Sequence, residues 1–266
     1  MTERGSIHRP ARRLTVVGSE ALDEVVVEEV AVALVYNGVS HVVMMATPCD
    51  LEDFGRGFSL TERIVEKPSE IYDIEVEPAD RGIEVRMEIA AQRMAALKER
   101  RRSLAGRTGC GLCGIDSLEA ALRPVPAVRA DARVSRRAID EAMAALPALQ
   151  HINRLNGATH AAGWAIADGT LLSVREDVGR HNALDKLCGA LARAGNVEAG
   201  GFVVVTSRCS FEMVQKAAAM DAAAIAAVSA PTSLAIETAE QAGIALVAFV
   251  RDGRLTAYAN ADRIVP

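Results

Sequence analysis

The first dozen residues are polar and basic, with no apolar period, and read as a frayed terminus. Residues 23–35 then form an extended, β-branched run, VVVEEVAVALV from 25 to 35, and Asn37-Gly38 supplies a two-residue turn signal before 39–46 returns as a second strand. A short helix is expected over 50–63, and two further strands over 71–77 and 83–89. The leading 95 or so residues thus predict a small α+β unit.

Residues 94–107 break the pattern, since 98–107 (KERRRSLAGR) carries five positive charges and one negative. A glycine-rich loop follows, Gly109-Cys110-Gly111-Leu112-Cys113-Gly114. Asp116 and Glu119 then have capping-box spacing for a short helix, ended by Pro124 and Pro126.

The second half alternates more regularly. A helix is expected over 135–149, opened by Ser135 and stopped near Pro147, then a hairpin of 159–167 with 171–174 across Asp168-Gly169. Residues 182–194 place Leu184, Leu187, Cys188 and Leu191 on one helical face. Strands at 201–205, 224–228 and 244–250 alternate with helices at 210–220 and 232–242, the latter ended by Gly243. Asp252-Gly253 turns the chain into a last strand at 255–258. This order predicts an α/β fold with a mixed, largely parallel sheet covered by helices on both faces. The expected division is a small α+β domain (1–105), a CxxC loop with a linker helix (106–127) and an α/β domain (128–266).

The chain has 266 residues, half of them hydrophobic, and a net charge of −5. That is a globular balance with length enough for a real core, and it excludes wholesale disorder. Mild acidity with 3% aromatics argues against a nucleic-acid binder. No apolar run approaches the roughly 20 residues that span a bilayer, and no apolar stretch follows Arg12-Arg13 as in a secretory or twin-arginine signal. A cytoplasmic location without membrane association is therefore expected, with the five cysteines reduced.

In that setting Cys110-x-x-Cys113 reads as a disulfide redox couple, half of a zinc site or a sulfur-handling thiol pair. Zinc lacks a second ligand pair at sensible spacing, so no structural metal is expected. Arg107 and the arginines at 100–102 suit a lowered thiol pKa, while Gly109 and Gly111 leave room for a partner; the same arginines also fit a plain solvated helix end. A second cluster, Arg175-Glu176-Asp177-Val178-Gly179-Arg180-His181-Asn182, lies between a strand and a helix. It reads as a polar site wall with His181 beside an anion, with Asn182 as a helix cap and Arg180 paired to Glu176 or Asp177. A third set, Thr206-Ser207-Arg208-Cys209-Ser210 and Ser229-Ala230-Pro231-Thr232-Ser233, follows two strands. Hydroxyls, an arginine and helix N-termini at strand carboxyl ends suit a phosphorylated ligand. Zinc deaminase chemistry is excluded, because His160 is followed by Ala161-Ala162 and lacks the H-x-E glutamate.

Together TGCGLCG (108–114), THAA (159–162), EDVGRHNALDK (176–186), SFEMVQKA (210–217) and VSAPTSL (228–234) resemble the FdhD-type accessory sulfurtransferases of formate dehydrogenase. The resemblance runs through nearly the whole chain. It implies a sulfur carrier that takes persulfide sulfur from a cysteine desulfurase and passes it to a molybdenum (or tungsten) bis(molybdopterin guanine dinucleotide) cofactor, as formate dehydrogenase requires. It also implies a three-layer, cytidine-deaminase-like carboxy-terminal domain without zinc, and a homodimer. Cys110 would carry the persulfide with Cys113 as companion. Phe249, Val250, Arg251, Asp252, Gly253 and Arg254 resemble the stretch that contacts the cofactor, and Thr159, His160, Asp177, Arg180, His181 and Arg208 would line the same side. Ser207, where glycine is common, and the extra thiol Cys209 depart from the pattern. Two rival functions are a cofactor-binding chaperone that needs neither cysteine, and a CxxC disulfide reductase that needs no cofactor.

Overall fold

The computed structural model of the chain describes residues 5–105, 125–129, 132–195, 200–251 and 253–266. Cys110, Cys113, the expected linker helix and Asp252 lie outside the described residues.

Residues 6–15 are not frayed. β1 (Ser6–Thr15) and β2 (Gly18–Val27) pair over ten residues as a two-stranded arm. Polar side chains support it across the strands: Arg13 pairs with Glu20 at 2.8 Å, and the His8 ring lies 2.8 Å from the Asp23 carboxylate. At its base the Asn156 amide donates to Ser6 Oγ at 3.0 Å. The single run expected over 23–35 is divided at Glu28-Glu29, where the chain leaves the arm and enters a second sheet.

That sheet contains β3 (Val30–Tyr36), β4 (Val39–Ala46), β5 (Ile71–Ala79) and β6 (Gly82–Ile89) in the order β4-β3-β6-β5. Asn37 (φ 45°) and Gly38 (φ 74°) make the β3–β4 turn with the two positive φ values a type I′ turn needs. α1 (Leu51–Thr61) covers one face, burying Leu51, Phe54 and Phe58 against Leu34, Val85 and Met87. α2 (Ala91–Ala105) continues from the sheet through the charged segment.

Downstream come β7 (Val134–Ser135), α3 (Arg136–Leu149) and α4 (His151–Asn156). Ser135 caps α3, its hydroxyl accepting from Ala138 N at 3.0 Å. As expected, α3 ends near Pro147, which sits in the last turn two residues before the end, where its missing N–H removes a single helical bond.

A six-stranded sheet follows, built from β8 (His160–Ala165), β9 (Leu171–Asp177), β10 (Phe202–Val205), β11 (Ala224–Ala227), β12 (Ala245–Arg251) and β13 (Arg254–Ala259). A short β14 (Ile264–Val265) pairs with β7. The order is β13-β12-β11-β10-β8-β9. It is mixed, but not largely parallel: only the β10–β11 and β11–β12 pairs are parallel. Both ends of the sheet are hairpins, and a hairpin can close only antiparallel. The helices α5 (Arg180–Ala194), α6 (Phe211–Ala219) and α7 (Ser233–Ala242) bury one face through Leu184, Leu187, Met213 and Ala239. On the opposite face α3 packs Ile139, Ala142 and Leu146. The result is three layers around β10–β12, whose residues, apolar on both faces, are almost all buried.

The two sheet units meet where α1 crosses α5 at very short range. A Cβ on Gly57 would lie 1.7 Å from the Asp185 carbonyl oxygen, and one on Gly189 would lie 1.8 Å from that of Asp53. Only glycine permits that approach. Charged groups lock the crossing. Asp53, 2% exposed, accepts from Arg175 Nη2 at 2.7 Å and from Arg193 Nε at 2.8 Å. Lys216 reaches Asp185 at 2.8 Å and Glu62 at 3.0 Å, while the Thr61 hydroxyl donates to Asp185 at 2.6 Å.

Candidate functional site

The chemistry-bearing segments of the second half meet at one edge of the six-stranded sheet. β9, β10, β11 and β12 all present their carboxyl ends there, and β8, running opposite, presents its first residue. This follows from the register: His160 pairs with Asp177, Val205 with Ala162, and Arg251 with Arg254. Thr159, His160, Asp177, Arg180, His181, Arg208 and the 249–254 hairpin therefore share an edge although they are spread over 96 positions of sequence. Ligands of open α/β sheets bind at such an edge.

Loops 206–210 and 229–233 lie side by side. Cys209 bridges to Pro231, with Cys209 N donating to Ala230 O at 3.1 Å and Thr232 N to Cys209 O at 3.0 Å. Ser207 is buried, and its hydroxyl donates to the Arg208 carbonyl at 2.8 Å, so it is spent on the loop's own backbone. Arg208 is exposed. Burial pushes the Cys209 thiol up to about 12; it packs in the core behind the loop.

The 175–182 segment divides into support and surface. Asp177 and Lys186 form a wholly buried pair at 2.6 Å. Asp177 also accepts from Gly179 N at 2.8 Å, from the Asn182 amide at 3.0 Å and from Thr47 N at 3.0 Å. Glu176 accepts from Ile152 N at 2.9 Å, Asn153 N at 2.8 Å and the Thr159 hydroxyl at 2.8 Å, closing the first turn of α4. Neither acid pairs with Arg180, contrary to the sequence expectation. Asn182 is not a cap either: α5 begins two residues earlier, Gly179 is its N-cap, and the Asn182 amide instead donates to Met45 O at 2.8 Å. Asp177 and Thr159 thus lie beneath the site as its scaffold, with their polar atoms engaged.

What faces the edge is Arg180, His181, His160 and Arg208. Arg180 opens α5, and its Nε is buried with no hydrogen-bond partner among the described residues. Among the described residues neither N-cap residue, Gly179 of α5 or Ser210 of α6, caps its helix through a side chain, and of the α6 start Met213 N donates to Ser210 O at 3.0 Å; the remaining first-turn N–H groups suit an acceptor. Burial, and then the charge of Arg180, hold the His160 imidazole below its ordinary value, which leaves that ring neutral near pH 7. His181 Nε2 lies 2.9 Å from Glu212 Oε2 and 3.4 Å from Ser210 Oγ. The hydrogen bond from His181 holds Glu212 below the usual carboxylate range, against its partial burial. Glu212 has one signal in the sequence, its place in SFEMVQKA, in the first turn of a helix that follows a strand end.

In the last hairpin Phe249 adopts φ 54°, a left-handed conformation rare for a bulky residue, at a register shift between Ala248 and Arg251. Its ring is 36% exposed and lies 6.0 Å from the Arg251 guanidinium and 6.5 Å from the Tyr258 ring. Such strain persists where the surroundings impose it, and it commonly marks a working surface. Val250 is buried, Arg251, Gly253 and Arg254 are exposed, and Arg136 donates to the Gly253 carbonyl.

Three comparisons bear on this arrangement. Residues 27–265 match the model of the FdhD/NarQ family. The chain is 56% identical over 239 residues to a sulfur carrier protein FdhD of Cupriavidus necator, covering 90% of this chain and 83% of that one. It is 51% identical over 249 residues to the sulfur carrier protein FdhD of Bordetella petrii, covering 94% and 90%. The fold superposes with a TM-score of 0.77 on the crystal structure of a candidate formate dehydrogenase accessory protein from Desulfotalea psychrophila, covering 98% of this chain and 99% of that one at 24% identity.

Proposed function

The chain belongs to the FdhD/NarQ family, and on that premise we propose that it is a sulfur carrier serving formate dehydrogenase. Sulfur enters as a persulfide on Cys110, delivered by a cysteine desulfurase. It leaves toward a molybdenum bis(molybdopterin guanine dinucleotide) acceptor held at the carboxyl edge of the six-stranded sheet. The observation that carries the reading is the convergence there of Arg180, His181 and Arg208 with two helix starts that lack side-chain caps.

These residues fit a ligand with several phosphates. The buried Nε of Arg180, unpartnered among the described residues, is a donor in want of an acceptor. A guanidinium and free helix N–H groups are the donors phosphate oxygens prefer. Arg251, Arg254 and the exposed Phe249 ring extend the same edge and suit a dinucleotide, the ring by stacking on a base. The acceptor supplies the metal that takes up the sulfur. The protein's part is to hold the acceptor by its phosphates and bring a thiol to it.

In the loading step the Cys110 thiolate attacks the outer sulfur of the donor's cysteine persulfide. A new sulfur–sulfur bond forms on Cys110, the donor's own sulfur–sulfur bond breaks, and the donor leaves as a thiolate. In the sequence Cys110 is flanked by Gly109 and Gly111, which carry no side chain to obstruct a donor. Cys49, Cys188 and Cys209 are poor substitutes, because burial raises the pKa of each. The reading extends to the cytoplasm as the place of action, to a homodimer as the working form, and to a cytidine-deaminase-like fold for the carboxy-terminal layers.

Complementation tests it. In cells lacking their own carrier, the wild-type chain restores formate dehydrogenase activity and the Cys110→Ala/Cys113→Ala double variant does not. Full restoration by the double variant would replace sulfur transfer with cofactor delivery alone.

A further inference from the structure

Two polar contacts join α5 to α6 behind the site edge, and they share one spacing. In the first turns the His181 ring lies 2.9 Å from the Glu212 carboxylate. Four residues further along each helix, Asp185 meets Lys216 at 2.8 Å. The two helices run side by side in the same direction, because β9 and β10 are parallel in sense and each helix leaves the same edge of the sheet. Residues four apart stand one above the other on a helix face. The contacts are therefore successive rungs, with the acid on α6 in the outer rung and on α5 in the inner one.

We propose that Asp185 and Lys216 are positioning residues: their rung sets the register of α6 against α5, and so holds the start of α6 and Arg208 at a fixed placement from Arg180 for the phosphates of the bound nucleotide. The inference rests on the cofactor-binding reading above. Arg180 lies five residues before Asp185, and Ser210, at the start of α6, six before Lys216. A shift at the rung is carried to the edge by one and a half turns of helix.

The ammonium is fully committed. Its donors meet Asp185, Glu62 at 3.0 Å and the Thr61 hydroxyl at 3.0 Å, and that hydroxyl donates to Asp185 at 2.6 Å. Asp185 and Lys216 are buried, and Nζ lies 5.6 Å from the centre of the Phe58 ring. This closed arrangement admits one placement of α6. A slip of one turn, about 5.4 Å, sets Glu212 against Asp185, carboxylate to carboxylate. The opposite slip sets Met220 against Asp185 and leaves a buried carboxylate without its cation. An apolar pair of similar volume holds a fold as firmly as a buried ion pair, but apolar contact is non-directional and accepts intermediate placements. Register is thus what the ion pair adds.

Calorimetric titration with GDP, alongside urea unfolding of the same full-chain preparations, tests the proposal. Lys216→Met strands Asp185 and lowers both the urea midpoint and the affinity. Lys216→Met/Asp185→Leu removes both charges: its urea midpoint returns close to wild type, while its Kd for GDP stays at least about tenfold higher. A double variant that regains affinity together with its urea midpoint overturns the proposal, because the pair then acts on stability alone. A double variant that fails to fold, or whose midpoint stays as low as that of Lys216→Met, overturns it too. Each of these results leaves the cofactor reading intact. Failure of wild type to bind GDP overturns both.

Discussion

Lys186 Nζ lies 2.6 Å from Asp177 Oδ2 with both side chains wholly buried, and it also donates to the Thr47 carbonyl at 2.9 Å. One ammonium group thereby joins the turn after β4, the end of β9 and the body of α5. Removing one partner of such a pair strands the other charge, which costs about 3–5 kcal/mol. Lys186→Met is therefore expected to lower the free energy of unfolding by roughly that amount in urea titration. Lys186→Met/Asp177→Leu, which removes both charges, is expected to recover a large part of the loss.

Acid stability depends on Asp53. Burial alone would raise its carboxyl, but hydrogen bonds from Arg193 and Arg175 outweigh it and hold the group below its ordinary value. A carboxyl depressed in the folded state contributes stability above its unfolded value, about 3.9, and loses it as pH falls through the folded one. Wild type is expected to lose stability steeply on acidification below about pH 4, whereas Asp53→Asn is weaker at neutral pH and flatter on the acid side. Urea midpoints across that range measure both.

The extra thiol beside the site is expected to be silent. Cys188 and Cys209 are 5% and 0% exposed, and burial pushes both thiols up to about 12. Alkylation of the native protein at neutral pH, followed by peptide mapping, should leave these two unmodified, and denaturant should make both react. Early labelling of Cys209 in the folded protein would contradict this packing.

Arg180 is expected to trade stability for binding. Its Nε is buried without a partner among the described residues, an arrangement that costs roughly 1–3 kcal/mol. Arg180→Met should leave the melting temperature unchanged or raised while weakening GDP binding at least about tenfold, the worth of a charge-assisted hydrogen bond.

The sequence makes local structure plain and long-range structure opaque. Asn37-Gly38 marks its turn because two positive φ values are a property of two adjacent residues. Leu184, Leu187, Cys188 and Leu191 mark one face of α5 by their period. The same period assigns Asp185 and Lys186 to solvent, yet ten consecutive residues from Asn182 to Leu191 are buried because α1 covers the far side. The partners of Lys186 lie up to 139 residues away, beyond any window of pattern. The arm of β1 and β2 reads as a frayed end because its support is cross-strand charge rather than alternating apolar residues. The meeting of the strand ends at one edge was legible, since strand ends before helices are local signals and the chain reverses direction between β8 and β9. The ion pairs beneath it were not, and so Arg180 and Asn182 were assigned the wrong partners.

The central claim is that Cys110 and Cys113 carry sulfur. The most direct measurement is the intact mass of the reduced protein after incubation with a cysteine desulfurase and cysteine, followed by peptide mapping. The account predicts a gain of about one sulfur atom, removed by reductant and located on Cys110 or Cys113. No gain, with the desulfurase shown to be active in the same tube, would contradict it.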